Sequence, residues 1–238
     1  MNIVVLLAGG IGKRMKSSIP KQHLVVTGHQ IIEYTLTAFC TNKAVDKVLV
    51  VSNPEYIDTI DKLRNNYEKL NWVIAGGNLR ALSVYNAILF LNQYCTENDK
   101  VIISDAVRPC ITYREVKELL DALDYYKGAT TGVETYETIL HTTDGKLNQI
   151  IPREGIIRQT SPEAYKFGVL KKLYLDTPIE KVTKYNNIGI DQMFDAGEDI
   201  GIVKSTAFNF KITTQEDLFY FDTVLKKGFD TILNEISL

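Results

Sequence analysis

Four short segments of this sequence carry residues whose types and spacing suit phosphate chemistry. The first is Leu7–Met15, LAGGIGKRM, followed by Pro20-Lys21. Glycines after a first strand leave backbone N–H groups free to cradle phosphate, here those of Ala8, Gly9, Gly10 and Gly12. Arg14 and Lys21 add cations where negative charge would develop in a phosphoryl transfer. The loop is not a Walker A motif, because Gly12-Lys13 is followed by Arg14 and lacks the earlier glycine. It also lacks the third glycine of a dinucleotide fingerprint, which disfavours an NAD-dependent oxidoreductase. The second segment, Ser104-Asp-Ala-Val-Arg-Pro109, places Asp105 at a strand end. One carboxylate beside a triphosphate suits Mg²⁺, and Arg108 could orient Asp105 or touch phosphate. In the third, Gly76-Gly77-Asn78-Leu-Arg80-Ala-Leu-Ser83, the glycines permit close approach of a flat base whose edge Asn78 and Ser83 could read, with Arg80 alongside. The fourth, Asn209-Phe-Lys211-Ile-Thr-Thr214, embeds a lysine among strand-like residues.

The elements that must position these residues follow from periodicity. Ile3–Leu7, Lys47–Ser52, Trp72–Ala75 and Val101–Ser104 are short continuous apolar runs, as expected of strands buried on both faces. Helical periodicity fills Ile31–Phe39, Glu55–Tyr67, Arg80–Tyr94 and Tyr113–Tyr126, the last opened by the capping-box pattern Thr112-Tyr-Arg-Glu115. This alternation predicts an α/β, Rossmann-like and mostly parallel sheet flanked by helices, with ligands at the carboxyl ends of the strands. The rhythm breaks after Gly132. Two alternating runs around Asp144-Gly145 predict a protruding β-hairpin arm at about 133–153. An isolated two-stranded arm is marginal in water, so a partner subunit is expected to cover it. Ser161-Pro162 is read as an N-cap with proline at the first helical position, and Thr214–Asp217 as the start of the last helix. With no repeat or linker, residues 1–238 are expected to form one domain.

Composition narrows the class further. The 238 residues are 45% hydrophobic and 24% charged, ordinary for a globular chain. A formal net charge of −2 argues against a general nucleic-acid binder or a membrane-surface protein. Cys40, Cys95 and Cys110 are odd in number and far apart, unlike a disulfide framework or a zinc site. The opening MNIVVLLAGG has no basic leader and runs into a glycine turn, and no apolar run approaches the roughly 20 residues of a membrane span. A cytoplasmic location is the expectation.

Taken in order and spacing, the four segments resemble the cytidylyltransferases that make CDP-methylerythritol and CDP-ribitol. The resemblance covers Leu7 to Asp217. It implies a nucleotidyltransferase fold, Mg²⁺ as cofactor, and CTP and a polyol phosphate as substrates. Arg14 and Lys21 would stabilise the pentavalent α-phosphate, with Lys211 a second phosphate-binding cation. Asp105 would be the Mg²⁺ ligand with Arg108 beside it, while Gly77, Asn78 and Ser83 would meet cytosine and ribose. Thr138 and Arg153 fall on the arm positions that reach the polyol phosphate, across a homodimer formed through the arm. The sequence departs from the family at Asn78, where an acid is common, and at Ser161-Pro162-Glu163, usually Thr-Pro-Gln. It departs again at Ile188–Gln192, IGIDQ, usually Thr-Asp-Glu or Thr-Asp-Ala. These departures sit near the expected polyol end and dimer interface, and those at 161–163 and 188–192 favour ribitol 5-phosphate or a similar alditol phosphate as acceptor. The alternative is 2-C-methyl-D-erythritol 4-phosphate. UTP or GTP as donor, a sugar phosphate as acceptor, and a non-catalytic nucleotide sensor are the other readings. His23, His29 and His141 suggest no general base, and an already anionic acceptor phosphate needs none.

Overall fold

Strand β1, Asn2–Ala8, is apolar at successive positions because both of its faces are covered. Ile3, Val4, Val5 and Leu6 are all fully buried in the computed structural model. Each such side chain contributes about 1.5–3 kcal/mol relative to exposure. The structure describes residues 1–238 except 11, 16, 18, 184–187 and 236–238, and the side chains of residues 13 and 188 are likewise outside the description. Ile11 of the glycine loop therefore lies outside the described residues.

After β1 come a small ladder of β2 (Val25–Val26) and β3 (His29–Gln30), then helix α1 (Ile31–Cys40). Next are β4 (Lys47–Ser52), α2 (Ile57–Asp61), β5 (Leu70–Ala75), α3 (Arg80–Leu91), β6 (Lys100–Asp105) and α4 (Tyr113–Ala122). The second half adds β7 (Gly128–Glu134), β8 (Ile139–Thr143), β9 (Lys146–Ile151) and β10 (Ile157–Lys166). Helices α5 (Phe167–Tyr174), α6 (Ile179–Val182) and α7 (Ile188–Asp195) follow. Strand β11 (Ile200–Lys204) and helices α8 (Gln215–Lys227) and α9 (Phe229–Leu233) end the order.

Seven strands form one sheet in the order β11-β7-β10-β6-β1-β4-β5. Every pairing is parallel except those of β10, which runs antiparallel to both β6 and β7. The period of two along β1 divides the core. Val4, Leu6 and Ala8 pack with α1, α2 and α4 on one face. Ile3 and Val5 pack with α3, α5 and α7 on the other. A third cluster joins Ile31 and Tyr34 of α1 to Phe221 and Val224 of α8 and to Ile232 of α9. It seats the C-terminal helices beside the glycine loop rather than on the sheet.

The sheet agrees with the expected α/β class, and several elements differ from the sequence reading. The helix expected over 55–67 is broken into α2 between two 3-10 turns. Helix α4 stops at Ala122, four residues early, because Gly128 begins a strand that the sequence reading passes over. Ser161-Pro162 does not begin a helix. It lies inside β10 as a cis peptide, at an irregularity between Gln159 and Glu163, and the residues beyond it pair with β6. Ladder bonds there, and the bond from Asn209 Nδ2 to the Ser161 carbonyl at 2.9 Å, outweigh the local capping signal. Thr214 does cap a helix, but α9 and not α8 is the last described one.

Asp144 and Gly145 join β8 to β9 with φ of 50° and 75°, the left-handed pair that a type I′ turn requires. The two strands form a sheet of their own, with Leu140 opposite Ile150 and Thr143 opposite Lys146. Leu140, Leu147 and Ile150 are 52%, 55% and 60% exposed, an unusual density of bare aliphatic side chains for one hairpin.

Candidate active site

The carboxyl ends of β1, β5 and β6 open onto a cavity of about 400 Å³. Gly9, Gly10, Gly12, Arg14 and Lys21 line it from the loop after β1. Gly77, Asn78, Arg80 and Ser83 line it from the β5–α3 turn, and Asp105 and Lys211 from the ends of β6 and of the C-terminal segment. Three of the four sequence segments thus converge where the switch in strand order leaves a crevice, and the fourth closes it from the side.

Each wall has a local cause. Gly12 has φ +66°, and a Cβ there would sit 3.3 Å from the Lys21 side chain, so the loop folds tightly over that lysine only as glycine. Gln22 ties the loop down by donating Nε2 to the Ala8 carbonyl. The β5–α3 turn is held from within by Ser83. Its hydroxyl oxygen accepts from the Gly77 N–H at 3.1 Å and lies 3.3 Å from the Gly77 carbonyl. A Cβ on Gly77 would come within 2.4 Å of Leu82 Cβ, so glycine there is a packing requirement.

Charge in the cavity is strongly coupled. The Lys21 ammonium is buried and donates to the Ile212 carbonyl at 2.8 Å. Burial, then the nearby Lys211 and Arg14 cations, lower its pKa to about 8, against the opposing pull of Asp105 and Asp217. Asp105 accepts the Lys211 ammonium at 2.9 Å and lies 3.5 Å from Arg108 Nε. Burial would raise the Asp105 carboxyl, but Lys211, Arg108 and Arg80 together hold it below the ordinary carboxylate range. Asp105 is ionised at neutral pH and is the one carboxylate among the described residues lining the cavity. No group of three or more metal-ligating side chains occurs among the described residues. A lone ionised carboxylate fits Mg²⁺ that brings its remaining oxygens from a triphosphate and water, rather than a cation caged by protein.

The C-terminal wall is carried by an internal brace. Glu115 is fully buried in the first turn of α4. It accepts from the Ser205 hydroxyl and, at 3.1 Å, from the Thr206 N–H. Asn209 donates to Ser161 and Ser205, and its carbonyl accepts from Arg108 at 2.9 Å. Arg108 therefore braces the loop bearing Lys211 and does not line the cavity. Gly76 and Ala8 also stand back from it, at the strand ends.

Thr138 and Arg153 are not brought to the cavity within one chain. Both are exposed beside the hairpin, where Arg153 donates to the Tyr136 carbonyl at 2.8 Å. Arg80 lines the cavity, but its guanidinium donates to buried Glu163 at 2.9 Å. Sequence reasoning passed over Gln22, Val107 and Thr213, which also line the cavity. Gln22 follows Lys21 directly and Thr213 lies two residues past Lys211, so adjacency to a functional cation was their only signal.

A sequence profile of the family described as IspD, 2-C-methyl-D-erythritol 4-phosphate cytidylyltransferase, matches residues 2–227. The chain is 32% identical to the ribitol-5-phosphate cytidylyltransferase of Lacticaseibacillus paracasei, over 95% of this chain and 99% of that protein. It is 31% identical to the 2-C-methyl-D-erythritol 4-phosphate cytidylyltransferase of Thermosipho melanesiensis, over 92% of this chain and 95% of that one. Among solved structures, the 2-C-methyl-D-erythritol 4-phosphate cytidylyltransferase of Francisella tularensis superposes with a TM-score of 0.77 at 26% identity. That match covers 93% of this chain and 98% of the other.

Proposed function

The chain belongs to the IspD family of cytidylyltransferases, with the nucleotidyltransferase fold, and from that premise we propose that it transfers the cytidylyl group of CTP to ribitol 5-phosphate or a similar alditol phosphate. The observation that carries this reading is the ring of cations Arg14, Lys21 and Lys211 around a glycine-walled cavity whose carboxylate is Asp105. The products are a CDP-alditol and pyrophosphate.

The reaction is an in-line displacement. A phosphate oxygen of the acceptor attacks the α-phosphorus of CTP, and the bond to the pyrophosphate oxygen breaks. The nucleophile is already an anion, so the chain supplies position and countercharge rather than a base. Lys21, fixed on the Ile212 carbonyl, and Arg14 meet charge developing on the α-phosphate. Lys211 stands between Asp105 and the incoming acceptor. Gly77, Asn78 and Ser83 receive cytosine and ribose, with Ser83 acting through the turn it braces. Mg²⁺ held by Asp105 would neutralise triphosphate oxygens when bound. Thr138 and Arg153 reach an acceptor only if the hairpin crosses to a second copy. The reading therefore includes a homodimer formed through the bare apolar hairpin. No helix among the described residues is long and apolar enough to cross a membrane. The reading places the activity in the cytoplasm.

One relative in hand acts on ribitol 5-phosphate and another on 2-C-methyl-D-erythritol 4-phosphate at nearly equal identity, and the family profile favours the latter as second reading. Pyrophosphate release by the purified protein with Mg²⁺, crossing four nucleoside triphosphates with both acceptors and other alditol phosphates, decides between them. Turnover with CTP and ribitol 5-phosphate is the expected result. Turnover with methylerythritol phosphate alone assigns the second reading, and turnover with no CTP pair overturns both.

A further inference from the structure

The sequence places an acid, Glu163, where the resembling family usually has glutamine, and the structure buries that acid to 3% exposure behind the nucleotide cavity. One Glu163 oxygen accepts from Arg80 at 2.9 Å, and the other accepts from the Tyr165 hydroxyl at 2.9 Å. Tyr165 is fully buried and lies directly under Gly189 of α7. A Cβ on Gly189 would stand 2.1 Å from the phenol oxygen, although its backbone is not left-handed, so the glycine serves only to make room. A continuous line of contacts thus runs from α7 through Tyr165 and Glu163 to Arg80.

Arg80 opens α3, three residues before the serine that braces the Gly77 turn. Taking the Glu163 carboxylate out of water is costly even with the partly exposed Arg80 guanidinium beside it, and such a pair is weak evidence for stability. Its pairing also holds the Arg80 guanidinium in one place, on the Glu163 oxygen at 2.9 Å. We propose that Glu163 is a positioning residue for the nucleotide: it clamps Arg80 and so sets the 77–83 turn that receives the base, with Tyr165 and Gly189 fixing the carboxylate from behind. The proposal rests on the cytidylyltransferase reading.

The test compares Glu163→Gln, Arg80→Lys, their double variant, Gly189→Ala and Tyr165→Phe with the wild type. CTP affinity is read by titration calorimetry with Mg²⁺, with kcat, KM and Tm read on the same preparations. Glu163→Gln is expected to raise Kd and KM for CTP about tenfold with kcat within about twofold, the pattern of lost uniform binding. The double variant should be no worse than the weaker single, because the two residues act as a unit. Gly189→Ala, which touches nothing in the cavity, should reproduce the effect. Should that variant fail to fold, Tyr165→Phe, which deletes only the hydroxyl, should give the same direction at smaller size. A lowered Tm with unchanged CTP affinity would make the pair merely structural and overturn the proposal, as would a fall in kcat at constant KM. A wild type that binds no CTP overturns the reading beneath it, and is seen before any variant is compared.

Discussion

Lys21 is a cation held close to losing its proton. Burial lowers its pKa to about 8 from an ordinary 10.5. The free enzyme should lose kcat/KM for CTP as pH rises through about 8, because the neutral amine cannot meet phosphate charge. Stability moves the other way. Between about 8 and 10.5 the unfolded chain binds more protons than the folded one at this site. The cost of burying the charge is therefore fully present below 8 and is relieved as pH climbs. A pH profile from 7 to 9.5 on wild type and Lys21→Arg checks the assignment: the alkaline limb should vanish in the arginine variant, and its persistence would assign the limb elsewhere. Lys21→Ala should raise the barrier by roughly 3–4 kcal/mol, read as a 10²–10³-fold loss of kcat. Cations next to glycines were legible in the sequence because both are rare in a buried strand end. Arg108 and Glu163 were not, since nothing local distinguishes a side chain that braces a loop from one that touches a ligand. Glu163, expected near the polyol end, pairs with Arg80.

At the scale of elements, the parallel half of the sheet was legible and the antiparallel half was not. Strands β1, β4 and β6 are buried on both faces and announce themselves as unbroken apolar runs. Strand β10 does not, because its first three residues, Ile157, Arg158 and Gln159, are exposed, polar residues run from Arg158 to Ser161 and a proline interrupts it. A proline after serine looks locally like a helix start, and only the non-local ladder to β6 and β7 says otherwise. Capping boxes were the more reliable local signal. Thr214 accepts from the Asp217 N–H, and Asp217 accepts from the N–H groups of Thr213 and Thr214 at 2.8 and 2.9 Å. Thr214→Ala should cost about 1 kcal/mol in urea unfolding. Because the cap lies three residues past Lys211, the same variant should also weaken CTP binding. Glu115→Gln leaves the fold its packing but weakens the brace on Ser205 and Thr206. Its kcat is expected to fall several-fold at a temperature where it remains fully folded, read by steady-state kinetics against Tm.

For the molecule as a whole, the hairpin is the feature a single chain does not explain. Leu140 and Ile150 stand opposite each other across β8 and β9, both bare. Replacing both by aspartate puts two charges into a cross-strand pair, which should be tolerated in water and excluded from an apolar contact. Sedimentation equilibrium is expected to give a dimer for the wild type and a monomer for the double aspartate variant. If Arg153 works in trans, the monomer should retain CTP binding and lose acceptor turnover. A dimer mass unchanged in the double aspartate variant would remove the hairpin from the interface.

The bond from Lys21 to the Ile212 carbonyl joins residues 191 positions apart in the chain. A nascent polypeptide emerging from the ribosome can complete β1, the glycine loop and most of the sheet while that carbonyl is still unmade. Until residue 212 is out, the lysine has no acceptor and Asp105 lacks the Lys211 ammonium that balances it. Lys211 and Thr213 are thus the last lining residues to be made, and the C-terminal wall is added to a cavity whose other walls come from residues 7–107.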